Sequence, residues 1–189
     1  MNKYVSLLCL LQLFLNGCNS NNEDFVFNAI SEQTTHINFS NTITENDDIN
    51  IIDFQYCYNG GGVGIGDFNN DGFQDIVFTG NQVSSRIYLN NGNLAFTDIS
   101  EKAKFFTDSW VTGVSVVDIN SDGWDDIYLN VGGANCNNDC PNLLFVNQGL
   151  DKEGIPFFKE EAKGYGLDDA NYAQQAVFFD YDQDGDLDV

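Results

Sequence analysis

Oxygen-bearing side chains recur at one fixed spacing three times in this chain. The copies are Asp67-Phe68-Asn69-Asn70-Asp71-Gly72-Phe73-Gln74-Asp75, Asp118-Ile119-Asn120-Ser121-Asp122-Gly123-Trp124-Asp125-Asp126 and Asp180-Tyr181-Asp182-Gln183-Asp184-Gly185-Asp186-Leu187-Asp188. Each reads D-x-[ND]-x-D-G-x-x-D. Side-chain oxygens stand at loop positions one, three, five and nine: Asp67, Asn69, Asp71 and Asp75, then Asp118, Asn120, Asp122 and Asp126, then Asp180, Asp182, Asp184 and Asp188. Alternate spacing on a tightly curled backbone aims several oxygens at one centre. The Gly at position six makes the sharp turn, and the main-chain carbonyl of position seven (Phe73, Trp124, Asp186) can add another oxygen. An oxygen-only, carboxylate-rich and flexible donor set suits a hard cation, and Ca²⁺ better than Mg²⁺. One such stretch could be a plain acidic turn, since Asp, Asn and Gly favour turns. Three copies in register make metal ligation the expected chemistry.

The flanks decide which kind of calcium loop this is. An EF-hand carries Glu at position twelve between two helices. Position twelve is Phe78 in the first copy and Leu129 in the second. The neighbouring segments are short and β-prone: Gly62–Gly66 and Ile76–Phe78, then Val114–Val117 and Ile127–Leu129. The loop therefore joins two strands, and the acid at position nine takes the place of the missing Glu.

The elements that position these loops repeat as well. The loops recur at intervals of 51 and 62 residues, a period that indicates a solenoid, propeller or array. Ile87–Gly92 matches Leu144–Gly149, and Ala95–Ile99 matches the region of Phe157–Glu161, with insertions at Gly132–Asn142 and Asp151–Pro156 in the second unit. Each unit reads as four short strands: one before the loop, one after it, and a hairpin through Asn-Gly or Gln-Gly. Four strands per repeat is a propeller blade.

On these motifs the chain resembles the FG-GAP/VCBS repeat family, the calcium-loop β-propeller repeats of integrin α-subunits and of many bacterial surface proteins. The stretch Tyr56–Gly72 is similar to exported Bacteroidetes-type lipoproteins, which often carry a C-terminal ASPIC/UnbV domain. The resemblance spans roughly residues 38–189. It implies a calcium-bound propeller with Asp67, Asn69, Asp71, Asp75 and their counterparts as ligands. The third copy stops one residue after its last acid, and about 4–8 blades are needed to close a ring. The expectation is an all-β, β-propeller-type repeat of four-stranded blades, an N-terminal fragment of a longer, unclosed propeller.

Composition bounds the partners. The 189 residues carry 29 acids against 7 bases, a formal net charge of −22. Such a chain will not hold a nucleic-acid backbone, so no nucleic-acid partner is expected. With 42% hydrophobic and 14% aromatic residues, disorder is not the reason for the acidity. The acids crowd into loops that expect cations, which couples folding to metal. The start of the chain reads as an export signal: Lys3, then a mostly apolar run from Val5 to Leu15, too short to span a membrane. It ends in Leu15-Asn16-Gly17-Cys18, which resembles a bacterial lipobox with Cys18 as the lipidated residue; the alternative is an ordinary cleaved signal peptide. The expected organisation is a signal peptide over 1–17, a tether over 18–37 and repeats over 38–189. The lipid anchor would place the chain in the outer membrane or at the cell surface.

Export permits disulfides. Cys136 and Cys140 could close a small loop and leave Cys57 unpaired; a zinc site is discounted because the chain has a single His and no second Cys pair. Gly60–Gly66 lacks the Lys-Ser/Thr and the helix of a phosphate cradle, and reads as close strand packing near a propeller axis. Tyr56, Tyr58, Trp110 and Trp124 read first as core aromatics, with sugar stacking as the alternative. No Ser-His-Asp set is present, so catalysis is not expected. The function expected is calcium-dependent recognition of a glycan or protein partner. Its rivals are the N-terminal part of an exported enzyme acting on a polymer, or a structural stalk.

Overall fold

Among the described residues, eight strands follow the predicted order. A computed structural model describes residues 27–133, Cys136 and residues 140–189. The proposed signal peptide and Cys18 lie outside the described residues. Phe27–Ile30, an exposed coil, belongs to an N-terminal unit distinct from Ser31–Val189. The larger unit opens with one exposed helical turn, α1 (Glu32–Thr35). Then come β1 (Val63–Gly66), β2 (Asp75–Phe78), β3 (Arg86–Asn90) and β4 (Phe96–Asp98). The second set is β5 (Val111–Val117), β6 (Asp126–Val131), β7 (Leu143–Leu150) and β8 (Pro156–Glu160), followed by the short α2 (Ala162–Tyr165). The strands form two four-stranded antiparallel meanders, β1-β2-β3-β4 and β5-β6-β7-β8. These are two propeller-type blades, and the described strands do not close a ring.

Each acidic loop connects the first two strands of its blade. Residues 67–74 lie between β1 and β2, and residues 118–125 between β5 and β6. The third loop repeats the arrangement, with Phe179 and Asp188 exchanging both main-chain hydrogen bonds at 3.1 and 2.9 Å.

The two sheets share one core. Val77, Ile87 and Leu89 from the first sheet pack with Val114, Ile127, Leu129 and Phe145 from the second. Phe105, from the connection between the blades, is fully buried with its ring centroid 4.7 Å from that of Phe145. The opposite face of the second sheet has its own cluster, with Tyr128, Leu144 and Val146 against Leu167, Ala176 and Phe178. Covered on both sides, β6 is buried at all six positions, as expected of a strand with packing on both faces. The opposite face of the first sheet is lined by Phe39, stacked on Phe78 at 5.4 Å.

Small residues set how closely the blades approach. A Cβ on Gly64 would sit 3.1 Å from methyls of both Val114 and Val116, and one on Gly66 would sit 2.9 Å from Val116 Cγ1. The glycines of β1 thus let it lie against β5. The third repeat docks on β5 in turn: the Thr112 and Ser115 hydroxyls donate to the Ala173 and Ala176 carbonyls, each at 2.7 Å.

The second hairpin departs from the expected turn. In the first blade Gly92 opens the turn, with Ala95 N–H donating to its carbonyl at 3.1 Å. In the second, Gly149 lies inside β7 at a register shift between Asn147 and Leu150. The turn falls instead at Asp151–Ile155, where Asp151 Oδ1 accepts the Glu153 and Ile155 N–H groups at 2.8 and 3.0 Å. The insertion moves the turn outward and leaves the glycine as a bulge, a conformation its φ of +79° permits.

Candidate metal centre

The loops are built from the same hydrogen bonds. Asp67 accepts the Asp71 and Gly72 N–H groups at 3.0 and 2.8 Å. Asp118 accepts those of Asp122 and Gly123 at 3.0 and 2.8 Å, and Asp180 those of Asp184 and Gly185 at 3.2 Å each. Position five then accepts the N–H of position seven, from Phe73, Trp124 and Asp186. Position four takes a left-handed conformation in each loop, with φ of 55° at Asn70, 58° at Ser121 and 64° at Gln183, and the glycine at position six has φ of 89°, 86° and 97°. These paired inversions curl nine residues around one centre, which is why Gly is required at position six.

In the third loop the oxygens so gathered fit a calcium ion. One carboxylate oxygen each of Asp180, Asp182 and Asp188 lies within 4.8 Å of the others. Two ligands at about 2.3–2.6 Å from a shared Ca²⁺ can be no more than about 5 Å apart. In the first two loops Asn replaces Asp at position three and donates to position five, Asn69 to Asp71 and Asn120 to Asp122, both at 2.9 Å. Its own oxygen faces the loop, taking the Asp71 or Asp122 N–H.

Position nine differs from the other ligand positions. Asp75 and Asp126 have no exposed surface, whereas Asp71 and Asp122 are exposed. Asp75 accepts Phe68 N–H at 3.0 Å and Asn90 N–H at 2.8 Å, and Asp126 accepts Ile119 N–H at 2.9 Å and Asn147 N–H at 2.7 Å. Each acid thus binds the loop to the third strand of its blade while keeping lone pairs for an ion. Burial pushes both carboxyls up to about 6; the main-chain donors oppose this, and the charges of the preceding loop acids add to it.

These values fix a pH dependence for the metal-free chain. The folded pKa of about 6 lies above the ordinary 3.8, so between the two the folded state holds more protons than the unfolded chain. Stability then falls as pH rises through that window, and the loss is complete above it. Melting in chelator should therefore show a declining contribution between about pH 4 and pH 6. A double Asp75→Asn, Asp126→Asn variant should flatten it; an unchanged profile would contradict the assignment.

Two features of the centre were not read from the motif. Asn90 and Asn147 serve as the loops' outer brace: each donates its N–H to the position-nine acid and accepts the N–H of the following glycine, Gly92 or Gly149, at 2.9 and 3.0 Å. The matched Asn-x-Gly triplets were the available signal, and hairpin geometry alone did not distinguish this role. The loops of adjacent blades are also linked. Asp67 N–H donates to Asp125 Oδ2 at 2.9 Å, and Asn70 Nδ2 donates to the Gly123 carbonyl at 3.0 Å. Phe68, at position two of the first loop, is fully buried against Phe158 of the second blade.

The aromatic side chains divide differently from the expectation of a common core role. Tyr56 and Tyr58 are 52% and 59% exposed. They lie before β1, in a segment of turns. Trp124 lies over the bulge glycine Gly149 and Phe73 over the turn glycine Gly92, each in its own blade. Cys57 and Cys136 are buried, and Cys136 and Cys140 line the same cavity.

Two meander blades joined through repeated acidic β-loops define a β-propeller-type repeat protein. Residues 67–129 match the family model of the FG-GAP-like repeat. The repeat makes this a protein of the extracellular or surface class. Over 134 residues the chain is 32% identical to cartilage acidic protein 1 of Mus musculus, covering 69% of this chain and 20% of that protein. The chain thus spans about one fifth of the length of this relative. Among the described residues no helix is long and apolar enough to cross a membrane.

Proposed function

We propose that the protein is a calcium-binding, lipid-anchored module of the cell envelope that recognises a glycan or protein partner without itself catalysing a reaction. The observation that carries the calcium assignment is the threefold repetition of one loop geometry, with the acids of the third loop gathered within reach of a single ion. Asp67, Asn69, Asp71, Asp75 and their counterparts would supply side-chain oxygens, and Phe73, Trp124 and Asp186 their carbonyls. The ions act as staples. Each holds a connection between two strands whose acids would otherwise repel one another, and affinities of about 10⁻⁴–10⁻³ M suffice outside a cell.

In this reading calcium supports recognition by holding the loops in place, without an ion–ligand contact. The test is capture of envelope glycans or proteins on the immobilised full chain in calcium, with elution by EDTA. Retention unaffected by EDTA, or no retention by calcium-loaded protein, would count against this function.

Cys18 is the proposed attachment point to the outer membrane. Cys18→Ala should move the protein from the membrane fraction to the soluble fraction; a variant that still sediments with membrane would refute the anchor. In an exported chain Cys136 and Cys140, which share a cavity, are the pair suited to oxidation.

A further inference from the structure

The inner strands have two ends, and the metal loops occupy only one. β1 and β5 begin at Val63 and Val111 and run into the loops at Asp67 and Asp118. At ~3.3 Å per residue, the seven residues of β5 place its start about 20 Å from its loop. At the starts of these strands, residues from three consecutive repeats line a groove. Phe54, Tyr56 and Asn59 precede β1, Gly132 follows β6, and Tyr172 and Gln174 lead into the third loop's incoming segment. Its volume is about 680 Å³. A second cavity of about 220 Å³ adjoins it, sharing Tyr56, Asn59 and Gln174 and adding Trp110 and Thr112. These sizes are in or near the ~300–1,000 Å³ range of small-ligand sites.

The lining has a definite chemistry. Tyr56 and Tyr172 are 52% and 54% exposed. Behind Tyr56 the rings continue inward, Tyr56 edge-on to Phe54 at 6.0 Å and Phe54 edge-on to Trp110 at 5.6 Å. This series fixes Tyr56 at low entropic cost to a ligand. The lining also includes Gln55, Asn59 and Gln174, whose carboxamides can each donate and accept. Among the described residues no lysine or arginine lines either cavity, and the one acid, Asp53, accepts Asn50 Nδ2 at 2.7 Å. On a chain of net charge −22 such a groove repels anionic polymers. Its tyrosine faces and amide edges instead complement a ligand with apolar C–H faces and uncharged hydroxyl edges.

We propose that this groove binds an uncharged oligosaccharide, with Tyr56 and Tyr172 as stacking platforms and Asn59 and Gln174 as partners for its hydroxyls. The assignment rests on the recognition function above and narrows it to one ligand class and one site. Calcium acts on this site from the far ends of the strands, through their docking, and no ion touches the sugar.

The test is titration calorimetry of the full chain in millimolar calcium with three neutral hexasaccharides: a β-1,4-glucan, an α-1,4-glucan and a mannan. At least one should bind, and Tyr56→Ala and Tyr172→Ala should each weaken it by about tenfold or more, as loss of an interfacial aromatic anchor does. Melting temperatures in calcium should stay at the wild-type value, because both rings are exposed. Sugar binding that survives both substitutions would overturn the groove while leaving glycan recognition intact. No binding of any of the three by folded, calcium-loaded protein would overturn the ligand class, and EDTA-sensitive capture of a protein would then identify the recognition function as protein-directed. A change of oligomeric state in Tyr56→Ala would mark the groove as a self-association surface and overturn the proposal too.

Discussion

Asp126→Ala should destabilise the protein even when no calcium is present, by about 3–5 kcal/mol near pH 4, where the buried carboxyl keeps its proton in the fold, and by less at neutral pH, where its charge costs the fold. The carboxylate is fully buried and satisfies the N–H groups of Ile119 and Asn147. Removing it strands two buried donors, each costing about 1–3 kcal/mol, and leaves a small void. For a chain of this size that corresponds to a fall in melting temperature of roughly 10 °C. The comparison that isolates the mechanism is Asp122→Ala. Asp122 is exposed, and its carboxylate bonds only within the loop, to Trp124 N–H and Asn120 Nδ2. In EDTA this variant should melt near the wild type. In calcium it should lose much of the ion's stabilisation of the second blade. Melting curves of both variants with and without calcium test the distinction. Equal losses for the two in EDTA would show that position nine is a ligand position like the others and not a structural tie.

Withdrawal of calcium should have an effect of similar size. Three loops at ~1 mM affinity in 10 mM calcium would each gain about 1.4 kcal/mol, so about 4 kcal/mol in all by mass action. The melting temperature should fall by roughly 8–16 °C on chelation. Part of this reflects like charges left unscreened. Asp67 and Asp71 already act on the buried Asp75, as Asp118 and Asp122 do on Asp126. The loops are also joined: the Asp125 carboxylate holds Asp67 N–H, and Asn147 Nδ2 donates to the Phe68 carbonyl at 2.9 Å. Loss of one ion should therefore loosen the blade interface as well as its own hairpin. Calorimetry across a calcium series measures it, and a melting temperature indifferent to calcium up to 10 mM would refute the metal assignment.

The parts of the fold legible in the sequence were those encoded within a few residues. An acidic loop of this design declares itself because its oxygens lie within nine positions, and the left-handed turns at Asn70 and Gly72 are local geometry. The strands around it were legible for the same reason, and recurrence of the unit gave four strands per blade. The turn of the second hairpin was misplaced because a bulge and a turn both accept Gly. Only the longer turn of residues 151–155, closed by the Asp151 carboxylate, settles the choice in favour of the bulge at Gly149.

Sequence by itself determined that this is an all-β repeat chain with three acidic loops of one design, because side-chain spacing along a curled backbone is a local property. Tertiary structure decided what the loop acids do. Asp75 and Asp126 become buried ties because strands fifteen and twenty-one residues further on bring Asn90 and Asn147 to them. It also placed Tyr56 and Tyr172, far apart in the chain, at one groove. Such contacts depend on how blades dock through residues like Gly64, Val114 and Phe105, and docking is set by complementary surfaces that no single segment contains.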